Sequence, residues 1–316
     1  MKKSDKEFKM ARLWLLVGSL AGIFGSVLLW GMSLKEYMIV HESRLVKNLA
    51  AENVGEDEKP ESDFTRKIRY IGDGVYLLDD KDEVICGPYK SIEIEDINMY
   101  GKICRFIGNN GRIGYLSSVD GEVVISPQFV QASEMAGGIA FVRDEKEGYY
   151  INDKGEHITN NEYLYGYPFS ELQGLCARVQ MLDGSFAIID RKENILLKGC
   201  EMIHELPGAL TYGSAVKDGR AILFEFTLGE EIQLDIIKQY EEYCDISKVY
   251  MEGFAIVENG QGLKGAVCVL NGEVIIPAEY ISLEIEYLQT EEVGKEIVLF
   301  KLKNKNERYE NFIWEN

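Results

Sequence analysis

Gly265-Ala266-Val267-Cys268-Val269-Leu270-Asn271-Gly272-Glu273-Val274-Ile275-Ile276-Pro277-Ala278-Glu279-Tyr280 decides the fold. An apolar run ends in a polar turn. A second apolar run follows, then a proline and an aromatic. Gly114-Tyr115-Leu116 through Gly121-Glu122-Val123-Val124-Ile125-Ser126-Pro127-Gln128-Phe129 says the same thing, with the same spacing of seven from leading glycine to turn glycine. Recurrence at a fixed period marks a repeat architecture. Each run alternates and is rich in Val, Ile, Tyr and Phe, which is strand chemistry.

Working outward, six turns align: Asp79-Asp80-Lys81-Asp82-Glu83, Val119-Asp120-Gly121-Glu122, Asp153-Lys154-Gly155-Glu156, Asp190-Arg191-Lys192-Glu193-Asn194, Leu228-Gly229-Glu230 and Asn271-Gly272-Glu273. Gly or Asn is expected at the positive-φ position of each. Each copy then opens with a hairpin. It closes on a third run with a small residue: Ile103-Cys104-Arg105-Phe106, Ile139-Ala140-Phe141-Val142, Cys176-Ala177-Arg178-Val179, Ser214-Ala215-Val216 and Phe254-Ala255-Ile256-Val257. The small residue implies close approach of backbones at a packed face. Tyr89, Phe129, Tyr240 and Tyr280 recur at one repeat position and are expected in the core.

These residues resemble the WG-repeat family of bacterial proteins. Ile113-Gly114-Tyr115, Ile125-Ser126-Pro127-Gln128-Phe129 and Gly138-Ile139-Ala140-Phe141-Val142 carry the resemblance best, over about residues 68–301. No copy keeps the tryptophan of the family pattern, since the Trp residues are Trp14, Trp30 and Trp314. The resemblance implies repeated β-sheet units and no shared catalytic residues. Residues 64–316 are thus expected to form an all-β domain of about six repeats, either β-propeller-like or an open array. The apolar tail Asn311-Phe312-Ile313-Trp314 reads as one more strand that could pair with the first copy.

Ahead of the repeats, residues 1–12 form a basic tail. Residues 13–33 are uncharged and apolar, long enough as a helix to span the roughly 30 Å hydrocarbon core. Trp14 and Trp30 stand near its ends as interface anchors. The long core without a small-x-small site reads as an uncleaved signal-anchor, N-terminus inside, with the repeats extracytoplasmic. The inverted topology is the alternative. Gly18, Gly22 and Gly25 place small residues where a second helix could approach, so a homodimer through the membrane helix is possible. Residues 34–63 read as a helical stalk and an acidic linker.

The net charge is −19. An acidic body argues against nucleic acid, whose phosphates need a basic surface. The six cysteines form no C-x-x-C pair, and most sit in strand-like runs, as buried thiols do. The three histidines, His41, His157 and His204, lie apart, with no zinc spacing. No nucleophile elbow or phosphate-binding glycine loop is present. The carboxylates of Asp79–Glu83 could hold Ca²⁺, but the same position elsewhere is a hairpin turn. No catalytic, cofactor or metal residue is expected. The function expected is a non-enzymatic, membrane-anchored binding or scaffold protein with a protein or envelope partner. The alternative is an envelope glycan-binding protein or glycan-acting enzyme. The segments that the copies do not share, 93–102, 160–173 and 281–296, are where a partner would read the surface.

Overall fold

A computed structural model describes residues 66–72, 74–96, 102–170, 174–205, 211–229, 231–250, 253–288 and 297–315. The expected membrane span, with Trp14, Trp30, Gly18, Gly22 and Gly25, lies outside the described residues, as do the stalk, the linker and His41. Among the described residues no helix is long and apolar enough to cross a membrane. The chain divides into two compact units, the first ending at Glu279 and the second holding Tyr280–Asn316.

The first unit is a succession of antiparallel sheets. β1 (Lys67–Ile71), β2 (Gly74–Leu78) and β3 (Val84–Tyr89) form one. β4 (Ser91–Ile92), β5 (Ile103–Ile107), β6 (Ile113–Ser117) and β7 (Val123–Phe129) form the next. β8 (Gln131–Ala132), β9 (Ile139–Arg143) and β10 (Gly148–Asn152) form a third, in the order β10-β9-β8. A seven-stranded sheet follows, of β11 (Tyr165–Gly166), β12 (Cys176–Gln180), β13 (Phe186–Asp190), β14 (Ile195–Ile203), β15 (Tyr212–Lys217), β16 (Arg220–Thr227) and β17 (Gln233–Gln239). β18 (Tyr243–Ile246), β19 (Phe254–Asn259), β20 (Lys264–Cys268) and β21 (Val274–Tyr280) complete the series. The second unit contains β22 (Ser282–Leu288), β23 (Ile297–Lys303) and β24 (Tyr309–Glu315) in one meander.

The hairpins fall where the sequence puts them, and an Asx side chain builds most of them. Asp79, Asp120, Asn152, Asp190 and Asn271 each accept a hydrogen bond from a backbone amide two to four residues on. This is the local mimicry that makes Asp and Asn turn residues. Asn304 does the same for Arg308 between β23 and β24, a turn that the Gly-Glu pattern does not reveal. Glycine supplies positive φ at Gly121, Gly155 and Gly272, but Asp82, Glu193 and Glu307 take it at the equivalent turns. The expectation of Gly or Asn there is corrected accordingly. The tail strand is β24, and its described partner is β23, in register from Ile297↔Glu315 to Lys303↔Tyr309. A pairing of that tail with the first copy is not among the described ladders.

The sequence copy is out of phase with the sheet. Its hairpin closes one sheet, while its third run is a strand of the next. β7 ends at Phe129 and β8 begins at Gln131, so one bend carries the chain between sheets. β14 makes the passage without a break. It pairs with β13 through Leu197 and with β15 through Met202 and Ile203.

Packing follows from this phase. The small residues of the third runs, Cys104, Ala140, Ala177, Ala215 and Ala255, are all fully buried. Cys104 packs with Val75 and Leu77 of the preceding sheet. Ala140 meets Tyr115 and Ile125, Ala177 meets Phe141 and Tyr150, and Ala255 meets Leu223 and Tyr240. Phe129 and Tyr240 are core, while Tyr89 and Tyr280 are half-buried. No disulfide joins the six cysteines; Cys104, Cys176 and Cys200 are buried, and Cys244 is exposed. Burial pushes the Cys104 thiol up to about 12 and Cys200 to about 11.

The leading glycine has a steric reason. A Cβ on Gly265 would lie 2.4 Å from the Ile276 carbonyl oxygen and 2.8 Å from the Ala278 nitrogen, on the two sides of Pro277. Gly114 faces Ile125 and Pro127 in the same way. Gly265→Ala is therefore expected to cost about 1–3 kcal/mol, the usual penalty for overpacking. Gly260, with nothing within 4 Å, serves as the control. Urea unfolding of the full chain should show a lower midpoint for Gly265→Ala and almost none of that change for Gly260→Ala.

Candidate functional site

The irregular segments between the regular strands collect the polar and aromatic side chains. Arg105, in the middle of β5, reaches across to Asp96. Its Nε and Nη2 donate to the two carboxylate oxygens at 2.8 Å each, and its Nη1 donates to the Ala132 carbonyl at 3.0 Å. Asp96 also accepts from the Arg105 backbone amide and is almost fully buried. The hydrogen bonds to Asp96 raise the guanidinium pKa further, so Arg105 stays charged. Glu134 lies 3.7 Å from Nη2.

Beside this pair stands an aromatic group. Tyr165 is 38% exposed. Its ring lies 5.6 Å from Phe141 and 5.0 Å, edge-on, from Tyr167. Arg178 sits over the Tyr167 ring at 4.3 Å and donates to the Ile203 carbonyl. A Cβ at Gly166 would fall 2.5 Å from the Phe141 ring and 2.6 Å from the Tyr150 hydroxyl. Glycine between the two tyrosines thus lets the strand lie flat on buried rings. A cleft of about 190 Å³ opens here, lined by Ile113, Val130, Gln131, Ala132, Ser133, Phe141 and Tyr165. Burial, then the neighbouring Tyr167 and the charge of Glu134, raises the Tyr165 hydroxyl pKa, so the ring is neutral at pH 7.

A second feature ties the 160–163 loop to the next hairpin. The Glu193 carboxylate accepts from the backbone amides of Asn160 and Asn161, from both of their side-chain amides, and from the Tyr163 hydroxyl. Glu193 holds this position at φ 61°. Burial acts to raise its pKa, but the hydrogen bonds from Asn160, Tyr163 and Asn161 outweigh it and hold the carboxyl below its usual range. Glu193 was read from the sequence only as a turn residue; nothing in its local pattern signals five donors from thirty residues away.

The other residues weighed in the sequence are accounted for locally. Asp79 spends its carboxylate on the Lys81 and Glu83 amides, and Asp82 pairs with Lys67 and Arg69. The Asp79–Glu83 run is a hairpin turn. His157 stacks on Tyr149 at 4.2 Å. His204 is half-buried, and burial lowers its pKa. These two histidines are not brought together with a shared carboxylate or thiol. Among the described residues there is no group of three or more His, Cys, Asp or Glu that could hold a metal ion. Of the unshared segments, 93–96 supplies Asp96 and 160–170 supplies the tyrosines. Residues 97–101, 171–173 and 289–296 lie outside the described residues.

No family model matches the chain, and no curated protein matches it. Solved structures do overlap it. The β-propeller domain of Cps50 (Swd1) from Myceliophteria thermophila is 12% identical, covering 80% of this chain and 92% of that one, at a TM-score of 0.31. BamB from Moraxella catarrhalis is 10% identical, covering 81% and 83%, at 0.32. The dihydro-heme d1 dehydrogenase NirN is 11% identical, covering 82% and 55%, at 0.37. Scores this low transfer neither an architecture nor a role, so the ladders themselves define the fold as all-β and antiparallel.

Because the Glu193 pKa is depressed on folding, its contribution is present above the usual carboxylate pKa of about 4.3 and is lost as pH falls through the folded value. Glu193→Gln should lower stability at pH 7 by about 1 kcal/mol, the order of one net hydrogen bond at a largely solvent-facing carboxylate. Its urea midpoint should also fall less steeply than the parent's between pH 6 and pH 3. Parallel curves would remove the carboxylate from the account.

Proposed function

We propose that this is a non-enzymatic binding or scaffold protein. In this reading its β-repeat domain, β-propeller-like or an open array of the WG type, presents the Tyr165 face to a partner. The observation that carries the reading is how the ionisable groups at that face are used. Arg105 and Asp96 are spent on each other and on backbone, and Glu193 is spent on the 160–163 loop. Such groups fix loops in place; they do not stand ready to exchange protons with a substrate. What is left at the surface is a tyrosine ring beside a shallow, mostly apolar cleft, the anatomy of a recognition surface.

The same proposal includes the anchor. The apolar stretch 13–33 supports a single N-terminal span, and the lysines before it support an inside N-terminus. The repeat domain would then stand outside the cytoplasmic membrane, with homodimerisation through Gly18, Gly22 and Gly25 as an added property. A second reading, binding or cleavage of envelope glycan, is favoured by one observation: the aromatic rings of Tyr165 and Phe141 line one concave place, and Glu134 follows its lining residue Ser133. Sugar rings stack on such faces, although the two carboxylates nearby, Asp96 and Glu134, both lie against Arg105, where glycoside hydrolysis needs one to act as an acid and the other as a base or nucleophile.

Two measurements test this. A photo-cross-linking amino acid placed at Tyr165 should give a discrete adduct in intact cells, while the same group at the exposed Tyr70 should not; equal patterns would contradict a partner at this face. Protease added to intact spheroplasts should digest the repeat domain. A protected domain would place it in the cytoplasm.

A further inference from the structure

One residue at the passage between sheets departs from its counterparts in the sister copies. Ser133, His204 and Ser247 stand at one repeat position, just after β8, β14 and β18. The backbone amide of each donates to a carbonyl of the strand opposite, that of Phe141, Ser214 and Ile256 respectively. The preceding residue is also held alike in two of the copies. Arg105 donates to the Ala132 carbonyl and Arg178 to the Ile203 carbonyl. Both serines turn Oγ back to accept from the Phe141 and Ile256 amides. The His204 ring reaches instead to the Ile246 carbonyl at the end of β18. It therefore ties the seven-stranded sheet to the one that follows, beside a second tie from Ser214 Oγ to the Ser247 carbonyl at 2.7 Å.

The ring is satisfied on one side only. Its Nε2 is buried and has no hydrogen-bond partner among the described residues. The neutral ring thus carries its hydrogen on Nδ1, toward Ile246. A second proton would make Nε2 a buried donor with nothing to accept from it, at a cost. The charged groups that face the ring are Asp245 of β18, which favours a cation, and Arg178 of β12, which opposes one. β15 meets this residue through Ser214, which carries no charge, and Glu205, next along the chain, is exposed. Asp245 already accepts from the Ile246 amide. Burial is the largest effect, and with Arg178 it outweighs the Ile246 carbonyl and Asp245, so the imidazole is held below its usual value of about 6.5. The tie is whole above about pH 6.5 and weakens as pH falls from there through the folded value.

We infer that His204 is an acid-sensitive clasp, whose protonation loosens β18 from the seven-stranded sheet and, through Arg178, unsettles Tyr167. The route to Tyr167 is short. Ile203, beside His204, holds Arg178 by its carbonyl; Arg178 lies 4.3 Å over the Tyr167 ring, and the Tyr167 amide donates to the Arg178 carbonyl. A buried histidine at an interface is a known form of pH switch. The inference goes beyond the binding reading and does not depend on it.

The test uses the full chain in detergent micelles. NMR of carbon-13-labelled histidine follows the titration from about pH 7.5 to 4.5. Hydrogen exchange, corrected for intrinsic rate, follows the Ser247 and Tyr167 amides over the same range. The chain has three histidines, so His41→Ser and His157→Ser assign the other two signals. The His204 signal should titrate below 6.5. Protection of both amides should fall about tenfold across that titration, the order of one buried polar group left unpaired. His204→Ser, which installs the side chain used by the sister copies, should abolish the fall, and His157→Ser should keep it. Protection that stays constant while His204 titrates would overturn the inference, and this needs no variant to fold. An equal fall in His204→Ser would overturn it as well. A His204 midpoint at or above 6.5 would show that the site accommodates the imidazolium, with the same consequence. Each of these results would leave the binding reading standing.

Discussion

Between one sheet and the next there is room for a methyl or a thiol and little more. Cys104, Ala140, Ala177 and Ala255 occupy that space, each fully buried, each in one core cluster with large residues of the preceding sheet: Leu77, Tyr115, Phe141 and Leu223. Buried side chains pack at crystal-like density, so a strand can come this close only if its facing residue is small. The rest follows from that spacing. The leading glycine lets the same hairpin bend over Pro127 or Pro277. The bend sends the chain straight into the following sheet, and the cycle begins again.

A scaffold this regular leaves little freedom for chemistry on its strands. Freedom remains in the connecting segments, and there the ionisable groups serve as fasteners. Arg105 and Asp96 fasten the 93–96 segment to β5, and Glu193 fastens the 160–163 loop to the β13–β14 hairpin. Both fasteners tie together residues that are distant along the chain or lie on different elements. The clasp on Glu193 fixes the loop just ahead of Tyr165, whose ring lies against the buried Phe141, and the Tyr150 hydroxyl donates to the Tyr167 carbonyl. Preorganisation of that kind favours recognition, because the surface is already ordered before a partner arrives.

Much of the fold is legible in the sequence because it is written locally and repeatedly. Two-residue periodicity gives the strands, Asx and Gly give the turns, and the recurring Ala or Cys marks the packed face. Phase is harder to read, since the repeated unit joins one sheet to the next and no single residue marks where a sheet ends. Asp82, Glu193 and Glu307 at positive φ break the glycine rule; Asp82 is tied there by Lys67 and Glu193 by Asn160. The site was legible only as a location. The segment 160–173 stood out by being unshared, whereas the pairing of Arg105 with Asp96 and the clasp on Glu193 depend on tertiary contacts that no periodicity encodes.

The small-residue column can be tested where propensity and packing predict opposite signs. Valine is a better strand former than alanine, so on propensity alone Ala177→Val and Ala255→Val would raise stability. On the spacing between sheets they must lower it by about 1–3 kcal/mol each. Urea unfolding of the full chain measures the difference directly. A lower midpoint in both variants is the predicted result. An unchanged or higher midpoint would mean that the sheets have space to spare, and would contradict the account.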